Sequence, residues 1–319
     1  MTSSFRLHRI PRRPLAAAQA LTIGNFDGVH LGHQQLLAAM GETRLPRVVL
    51  TFEPLPREFF QGAESPVRLS SLREKTQALL HYGADQVICS RFDRRLAQLS
   101  AEDFVREILV GRLQVRHLFV GHDFRFGAQR RGDFTLLEQM GRQLGFTVAE
   151  QPPFLLDGQR VSSTGVRQFL EQGDLGQAAR WLGRPYAICG RVRRGDQLGR
   201  ELGFPTANLP LTRRSLPLRG IFAGRLHSPI GSWQAAISIG LRPTVNGKHL
   251  VLEAHCLDAD SPNLYGLQVQ VELLHKLRDE EKYPNLDVLI AAIQHDVGQV
   301  RQFFASSSTS QSPWITKTP

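Results

Sequence analysis

The chain has 319 residues, 41% hydrophobic and 21% charged, which suits a soluble globular protein of two ordinary domains, each large enough for its own core. No apolar run approaches the ~20 residues of a membrane span, and Cys89, Cys189 and Cys256 show no Cys-x-x-Cys pairing, which argues against structural zinc and for the reducing cytoplasm. Thirty-nine Lys and Arg against 29 Asp and Glu give a net charge of +10, spread over both halves rather than gathered into an arm, so it fits anionic small molecules at least as well as nucleic acid.

Residues 15–23, after several arginines, faintly imitate an export signal. The stretch is alanine-rich, is interrupted by Gln19 and runs into a glycine-rich turn, so no signal peptide is expected. Its end reads as a strand. There follows Gly24-Asn25-Phe26-Asp27-Gly28-Val29-His30-Leu31-Gly32-His33, then a helix-like run with Leu36, Leu37 and Met40. Backbone N–H groups at a helix N-terminus carry partial positive charge, which suits a polyphosphate. His30 and His33, three apart, share one face of the first turn and can donate hydrogen bonds to phosphate oxygens as charge develops in a transition state. The pattern reads as the ATP site of a nucleotidyltransferase. His-x-x-His could also supply two zinc ligands, but the scattered cysteines do not complete such a site.

Further strands are expected at 47–52, 86–90, 117–121 and 146–150, the first spanning 20–24. Helices are expected at 32–41, 70–82, 101–111 and 135–144, with Ser100 and Asp103 forming an N-cap. Such alternation implies a doubly wound parallel sheet, which binds ligands beyond the carboxyl ends of its strands. After Gly183 the pattern changes to short alternating segments at 187–193, 221–226, 233–239, 250–257 and 268–274, with one amphipathic helix at 287–304. That reads as an antiparallel β-barrel closed by a helix. The expected class is therefore α/β followed by β: residues 1–183 a parallel-sheet nucleotidyltransferase domain, 184–304 the barrel, and serine-rich 305–319 a disordered tail.

The barrel half carries a second constellation. Gly190-x4-Gly195 is followed by Asp196-Gln197 where a P-loop would have Lys-Ser/Thr, so that reading fails. What remains is a glycine loop (Gly195, Gly199, Arg200, Gly203) followed by Pro205-Thr206-Ala207-Asn208, a rigid turn presenting a hydroxyl and an amide oxygen, hard ligands that suit Mg²⁺ held jointly with a nucleotide phosphate. Downstream, Glu253 and His255 point to one face of a strand, and a carboxylate there could serve as general base for an alcohol attacking a γ-phosphate. The run from Arg278 to Lys282 reads by itself as a solvated strand end.

These strings, in this order, resemble the prokaryotic bifunctional riboflavin kinase/FMN adenylyltransferase family from about Leu21 to Phe304. They are residues 24–33, Thr51-Phe52-Glu53-Pro54, Gly121-His122-Asp123-Phe124-Arg125-Phe126-Gly127, Ser162-Ser163-Thr164-Gly165-Val166-Arg167, the 190–208 segment, Ile239-Gly240-Leu241-Arg242-Pro243-Thr244, Leu252-Glu253-Ala254-His255 and Leu264-Tyr265-Gly266. The resemblance implies two ATP-dependent reactions: phosphorylation of riboflavin to FMN in the barrel, and transfer of AMP to FMN in the N-terminal domain, giving FAD and pyrophosphate. It implies that Gly24, Asn25, Phe26, Asp27, His30 and His33 hold the adenylylating ATP, with Ser162, Ser163, Thr164 and Arg167 as a second phosphate clamp. Phe52, Pro54, Asp123, Phe124 and Arg125 would contact FMN or ATP. In the kinase, Gly195, Gly199, Arg200, Gly203, Tyr265 and Arg278 would bind nucleotide or flavin, Thr206 and Asn208 would hold Mg²⁺–ATP, and Glu253 would be the base.

Three positions depart from the family pattern. Leu55 stands where a histidine is usual, Ser238 where an asparagine is, and Asn263 where an acid is. Leu55 alone motivates a kinase-only reading with a silent N-terminal domain; His30, His33, Ser163 and Arg167 stand against it. An aminoacyl-tRNA synthetase would add a Lys-rich second signature and a tRNA-binding domain, and neither is present in the sequence. Flavin storage would leave two ATP-type constellations without a use. The expected partners are thus riboflavin, FMN and ATP, with no nucleic acid and no membrane, and no pattern sets an oligomeric state.

Overall fold

The structure, a computed structural model, describes residues 7–8, 10–11, 13–195, 198–211, 215–244, 247–257 and 262–306. It divides into two compact units, Met1–Pro66 with Ser70–Ser162, and Val67–Leu69 with Ser163–Pro319.

The first unit is a six-stranded, wholly parallel sheet of β1 (Leu7–His8), β2 (Gln19–Ile23), β3 (Arg47–Glu53), β4 (Gln86–Arg91), β5 (Val115–Gly121) and β6 (Thr147–Gln151), in the order β1-β4-β3-β2-β5-β6. Connecting helices are α1 (Leu31–Gly41), α2 (Pro56–Gln61), α3 (Leu72–His81), α4 (Arg94–Gln98), α5 (Ala101–Asp103, widening into a π-helical stretch over Phe104–Val110) and α6 (Phe134–Leu144). The five expected strands are all present, and the two-residue β1 adds a sixth. The interior of β3 (Val48 to Phe52) is buried without a break, as a central parallel strand covered on both faces must be. Leu21, Leu50, Ile88, Leu109, Leu118 and Leu137, all 0% exposed, make the core between sheet and helices. Ser100 caps α5 by accepting from the Asp103 N–H at 3.0 Å, as its sequence suggests. From β2 the chain steps outward through β3 and β4, then returns to the other side of β2 with β5. The carboxyl end of β2 is therefore the point where strand order reverses, and the loop from Gly24 to His30 leaves from there. A small hairpin, β7 (Leu155–Leu156) and β8 (Gln159–Arg160), follows.

The second unit begins with α7 (Ser163–Gln172) and α8 (Leu175–Leu182), capped by Asp174 and ended by Gly183 at φ 69°. Its antiparallel sheet comprises β9 (Tyr186–Arg191), β10 (Ala207–Pro210), β11 (Gly220–Ser228), β12 (Gly231–Thr244), β13 (Gly247–Cys256) and β14 (Gln268–Arg278), in the order β10-β13-β12-β11-β14-β9. The sheet curls until its two edges are bridged, the Arg193 N–H donating to the Asn208 carbonyl at 2.9 Å. The short helix α9 (Leu198–Glu201) sits in the segment read from sequence as a glycine loop, and Ala207 and Asn208, read as part of a turn, lie in β10. The long helix α10 (Leu286–Ser306) lays Val297, Val300 and Phe304 against Ala223 and Leu257. It continues two residues into the stretch assigned to the tail; 307–319 lie outside the described residues, as do Asp196 and Gln197.

Candidate active sites

His30 is the N-cap of α1, with extended backbone (φ −72°, ψ 172°), and it is 7% exposed. Its ring stacks on that of His33, with centroids 3.7 Å apart and planes 18° from parallel, and the edge of Phe26 meets His33 at 5.0 Å. The one-face expectation from their spacing therefore describes the geometry. Gly32 keeps the stack possible, since a side-chain carbon there would press on the His30 ring at 3.3 Å. The turn uses left-handed backbone at Phe26 (φ 49°), Gly28 (φ 80°) and Val29 (φ 45°), two of them residues that adopt it only at a cost, so the loop must be over-determined by its surroundings. Part of that determination is Asp27, 4% exposed, whose carboxylate accepts from the Ser70 N–H (3.0 Å) and hydroxyl (3.2 Å), while Ser70 Oγ accepts from the Gly28 N–H at 3.1 Å. Asp27 is thus turned to Ser70 and acts as a loop staple.

Beside the loop, a cavity of about 800 Å³ opens at the carboxyl ends of the parallel strands. Gly24, Asn25, Phe52, Asp123, Phe124 and Arg125, all named as candidates from the sequence, line it; Pro54 and Leu55 are not among its lining residues. Sequence reading missed the other half of the wall: Phe60, Phe92, Phe104 and Phe126, with Arg57 and Arg130. The signal was the adjacent pair Phe59-Phe60 in a polar stretch, with Phe60 68% exposed. Arg125 pairs with Asp133 at 2.9 Å. Asp123 pairs with Arg160 at 2.8 Å, and that hydrogen bond, with the guanidinium charge, holds its carboxyl below the usual range against a smaller effect of burial. Leu55 is buried as the N-cap of α2, its N–H bonded by Glu58 Oε2 at 2.9 Å. Ser162 closes the first unit, whereas Ser163, Thr164 and Arg167 lie on α7 in the second, where Arg167 Nε donates to the Val67 carbonyl at 2.5 Å.

The curled sheet holds two cavities. One, about 520 Å³, is lined by Arg200, Gly203, Thr206, Asn208, Cys256, Asn263 and Tyr265 among others, and Arg194 lies 5.6 Å over the Tyr265 ring. The other, about 270 Å³, is lined by Gly199, Ser238, Glu253, Arg278, Tyr283, Asp296 and neighbours. Thr206 and His255 contribute to both. His255 Nδ1 donates to the Pro205 carbonyl at 2.9 Å, and Asn208 Nδ2 donates to Thr206 Oγ1 at 3.2 Å. In register, Glu253 lies opposite Asn208 on one side and Ser238 on the other. Arg278 is no solvated strand end: its Nε and Nη2 grip Asp296 at 2.9 and 2.6 Å, a forked pair with a carboxylate only 4% exposed. Asp296, eighteen positions on and in another element, had no sequence signal. Burial pushes the Cys256 thiol up to about 11.

Two family models match the chain, FAD synthetase over residues 13–165 and riboflavin kinase over 182–304. It is 45% identical to the bifunctional riboflavin kinase/FMN adenylyltransferase of Escherichia coli (strain K12), over 93% of this chain and 96% of that one. The chain belongs to the bifunctional riboflavin kinase/FMN adenylyltransferase family. The Pseudomonas fluorescens member is 44% identical over 95% of this chain and 97% of its own. A solved structure from Streptococcus pneumoniae described as a macrolide-efflux protein is 26% identical, covers 90% of this chain and 95% of that one, and superposes with a TM-score of 0.75, so this bifunctional enzyme shares its fold. Among the described residues of the enzyme no helix is long and apolar enough to cross a membrane.

Proposed function

We propose that this chain makes FAD from riboflavin in two steps, each step having its own cavities. The chain is a bifunctional transferase, as the FAD synthetase match over residues 13–165 and the riboflavin kinase match over 182–304 support. We assign adenylyl transfer to residues 1–183 and riboflavin phosphorylation to 184–304. The observation that carries the reading is the pairing of Glu253 with Asn208 on adjacent strands, which brings a carboxylate and an amide oxygen to neighbouring positions where two cavities meet.

In the first step the larger chamber takes ATP, with Arg200, Gly203 and Tyr265 in its wall, and the smaller, which Gly199 lines, takes the ribityl chain of riboflavin. Gly195 is assigned to the nucleotide through the family resemblance. Glu253 accepts the proton of the terminal hydroxyl as its oxygen attacks the γ-phosphorus, and ADP leaves. Arg278, held by Asp296, presents a fixed guanidinium to the same chamber. Mg²⁺, when bound with ATP, offsets phosphate charge. Thr206 Oγ1 and Asn208 Oδ1 suit it: both are neutral hard oxygens facing the nucleotide chamber, Asn208 commits its NH₂ to Thr206, and a side-chain carbon at Gly195 would meet Oδ1 at 2.7 Å, so a glycine keeps that oxygen approachable. Among the described residues no group of three or more His, Cys, Asp or Glu could hold a metal ion by itself, which accords with a metal held jointly with the nucleotide phosphates.

In the second step a phosphate oxygen of FMN attacks the α-phosphorus of another ATP, and the α–β bridge breaks to release pyrophosphate. His30 and His33 donate hydrogen bonds to the departing group, helped by the N-terminus of α1, and no covalent enzyme intermediate is required. The aromatic walls around Phe52, Phe60 and Phe124 suit a flat ring, and Arg57, Arg125 and Arg130 suit its phosphate. Ser162, Ser163, Thr164 and Arg167 are assigned as further phosphate ligands through the family resemblance. The partners are small molecules, with no nucleic acid, and the scattered cysteines suit the cytoplasm.

The test is to incubate the protein with riboflavin, ATP and Mg²⁺, and separately with FMN, ATP and Mg²⁺, and to resolve the flavins. FAD from both mixtures is expected. FMN alone from the first, with FMN unchanged in the second, would overturn the two-step reading.

A further inference from the structure

Lys75 is 2% exposed, and a lysine so buried needs its ammonium tied to acceptors. It lies on α3, fifty positions from the loop that follows β2, and its Nζ donates to the Asn25 carbonyl at 3.0 Å and to Thr51 Oγ1 at 2.9 Å. Thr51, 0% exposed, in turn donates to the Asn25 carbonyl at 3.4 Å. Two donors from two elements, α3 and β3, thus close on one carbonyl oxygen and are bonded to each other. In a trans peptide the C=O and the N–H of the following residue point in opposite directions. Drawing the Asn25 carbonyl toward Lys75 and Thr51 therefore turns the Phe26 N–H the opposite way, in a loop whose preceding residues, Gly24 and Asn25, line the large cavity. Among the described residues that N–H meets no acceptor.

We infer that Lys75 is a positioning residue for adenylyl transfer, aiming the Phe26 N–H at a phosphate oxygen of ATP by pinning the peptide behind it. The Phe26 backbone sits at φ 49°, a conformation a phenylalanine does not choose unaided, and the Asn25 anchor lies one peptide before it. A preorganised backbone donor of this kind is worth roughly 10²–10³ in kcat when it is removed outright. Displacing it should cost less, about 10- to 100-fold.

The inference rests on placing adenylyl transfer at the Gly24-to-His33 loop, so His30→Ala is assayed in parallel. Lys75→Met fills the same space without the donors, and Thr51→Val removes one corner of the triangle with little change of shape. In FMN-to-FAD assays, Lys75→Met is expected to lower kcat by about 10- to 100-fold and Thr51→Val by a few-fold, each with KM for FMN within about two-fold of the parent. A lysine serving only the fold would instead lower the melting temperature and the active fraction while leaving kcat per active site unchanged. That result, or an unchanged kcat in Thr51→Val where Lys75→Met fails to fold, overturns the inference. If His30→Ala keeps full adenylyl transfer, the placement of the site fails; if His30→Ala abolishes it and Lys75→Met does not slow it, only the inference about Lys75 fails.

Discussion

Asn208 and Glu253 are register partners in the pairing of β10 with β13, so their side chains stand side by side on one face of the sheet. That adjacency brings the proposed base within one side chain's reach of the proposed phosphate-side oxygen. Glu253→Gln keeps the shape and removes the proton acceptor. Riboflavin phosphorylation should fall by about 10²- to 10⁴-fold, while FMN-to-FAD conversion in the same preparation stays at the parent rate. Separation of the flavins by chromatography checks both at once.

Asp296, itself buried, fixes the half-buried Arg278 through two short bonds. Asp296→Asn keeps one acceptor and loses the charge, so the guanidinium is released. KM for riboflavin should rise by about ten-fold, in line with the ~1.5–3 kcal/mol of a charged hydrogen bond, and KM for FMN in adenylyl transfer should not move. A change in the second constant would contradict the assignment of Arg278 to the kinase.

Phe60 projects into solvent from the rim of the large cavity, which makes it expendable for folding. Phe60→Ala should leave the melting temperature within about a degree and raise KM for FMN several-fold, since ring stacking is worth roughly 0.5–1.5 kcal/mol. Steady-state kinetics with FMN as the varied substrate decides it.

Burial raises the Cys256 thiol to about 11, so at pH 8 only about one thiol in a thousand is ionised, and the reactive fraction climbs as pH approaches 11. Iodoacetamide at pH 8 should therefore label Cys256 slowly, and faster at pH 10. Because Cys256 lines the chamber assigned to ATP, added nucleotide should suppress that labelling. Peptide mapping by mass spectrometry reads the site.

Gly165 on α7 is packed under the Trp181 ring so closely that an added methyl has no room. Gly165→Ala should cost about 1–3 kcal/mol and lower the thermal midpoint by several degrees, a shift that calorimetry resolves.

The elements legible in the sequence were those long enough to show a period. The core strand from Arg47 and the helix ending at Leu144 fall within a residue of their expected bounds. The helices Pro56–Gln61 and Arg94–Gln98 are too short to carry an apolar repeat, and Ala207–Pro210, set between Pro205 and Pro210, reads locally as a turn because its strand character comes from pairing with β13. The same split runs through the sites. His30 and His33 are neighbours along the chain, so their stacking could be anticipated. The grip of Asp296 on Arg278 and of Lys75 on Asn25 joins elements far apart in sequence, and only the folded chain brings them together.

Among the described residues, the seam of the curled sheet is stitched by a hydrogen bond from the Arg193 N–H to the Asn208 carbonyl. The same residue, Asn208, lines the cavity assigned to ATP. Opening the seam therefore means dismantling the pocket, and a nucleotide that fills the pocket resists the opening. Saturating ATP then acts as a clasp on the fold, its stabilisation growing with the logarithm of its concentration over its dissociation constant. The kinase half should be hardest to unfold, and slowest to be cut by proteases, when its substrate is abundant.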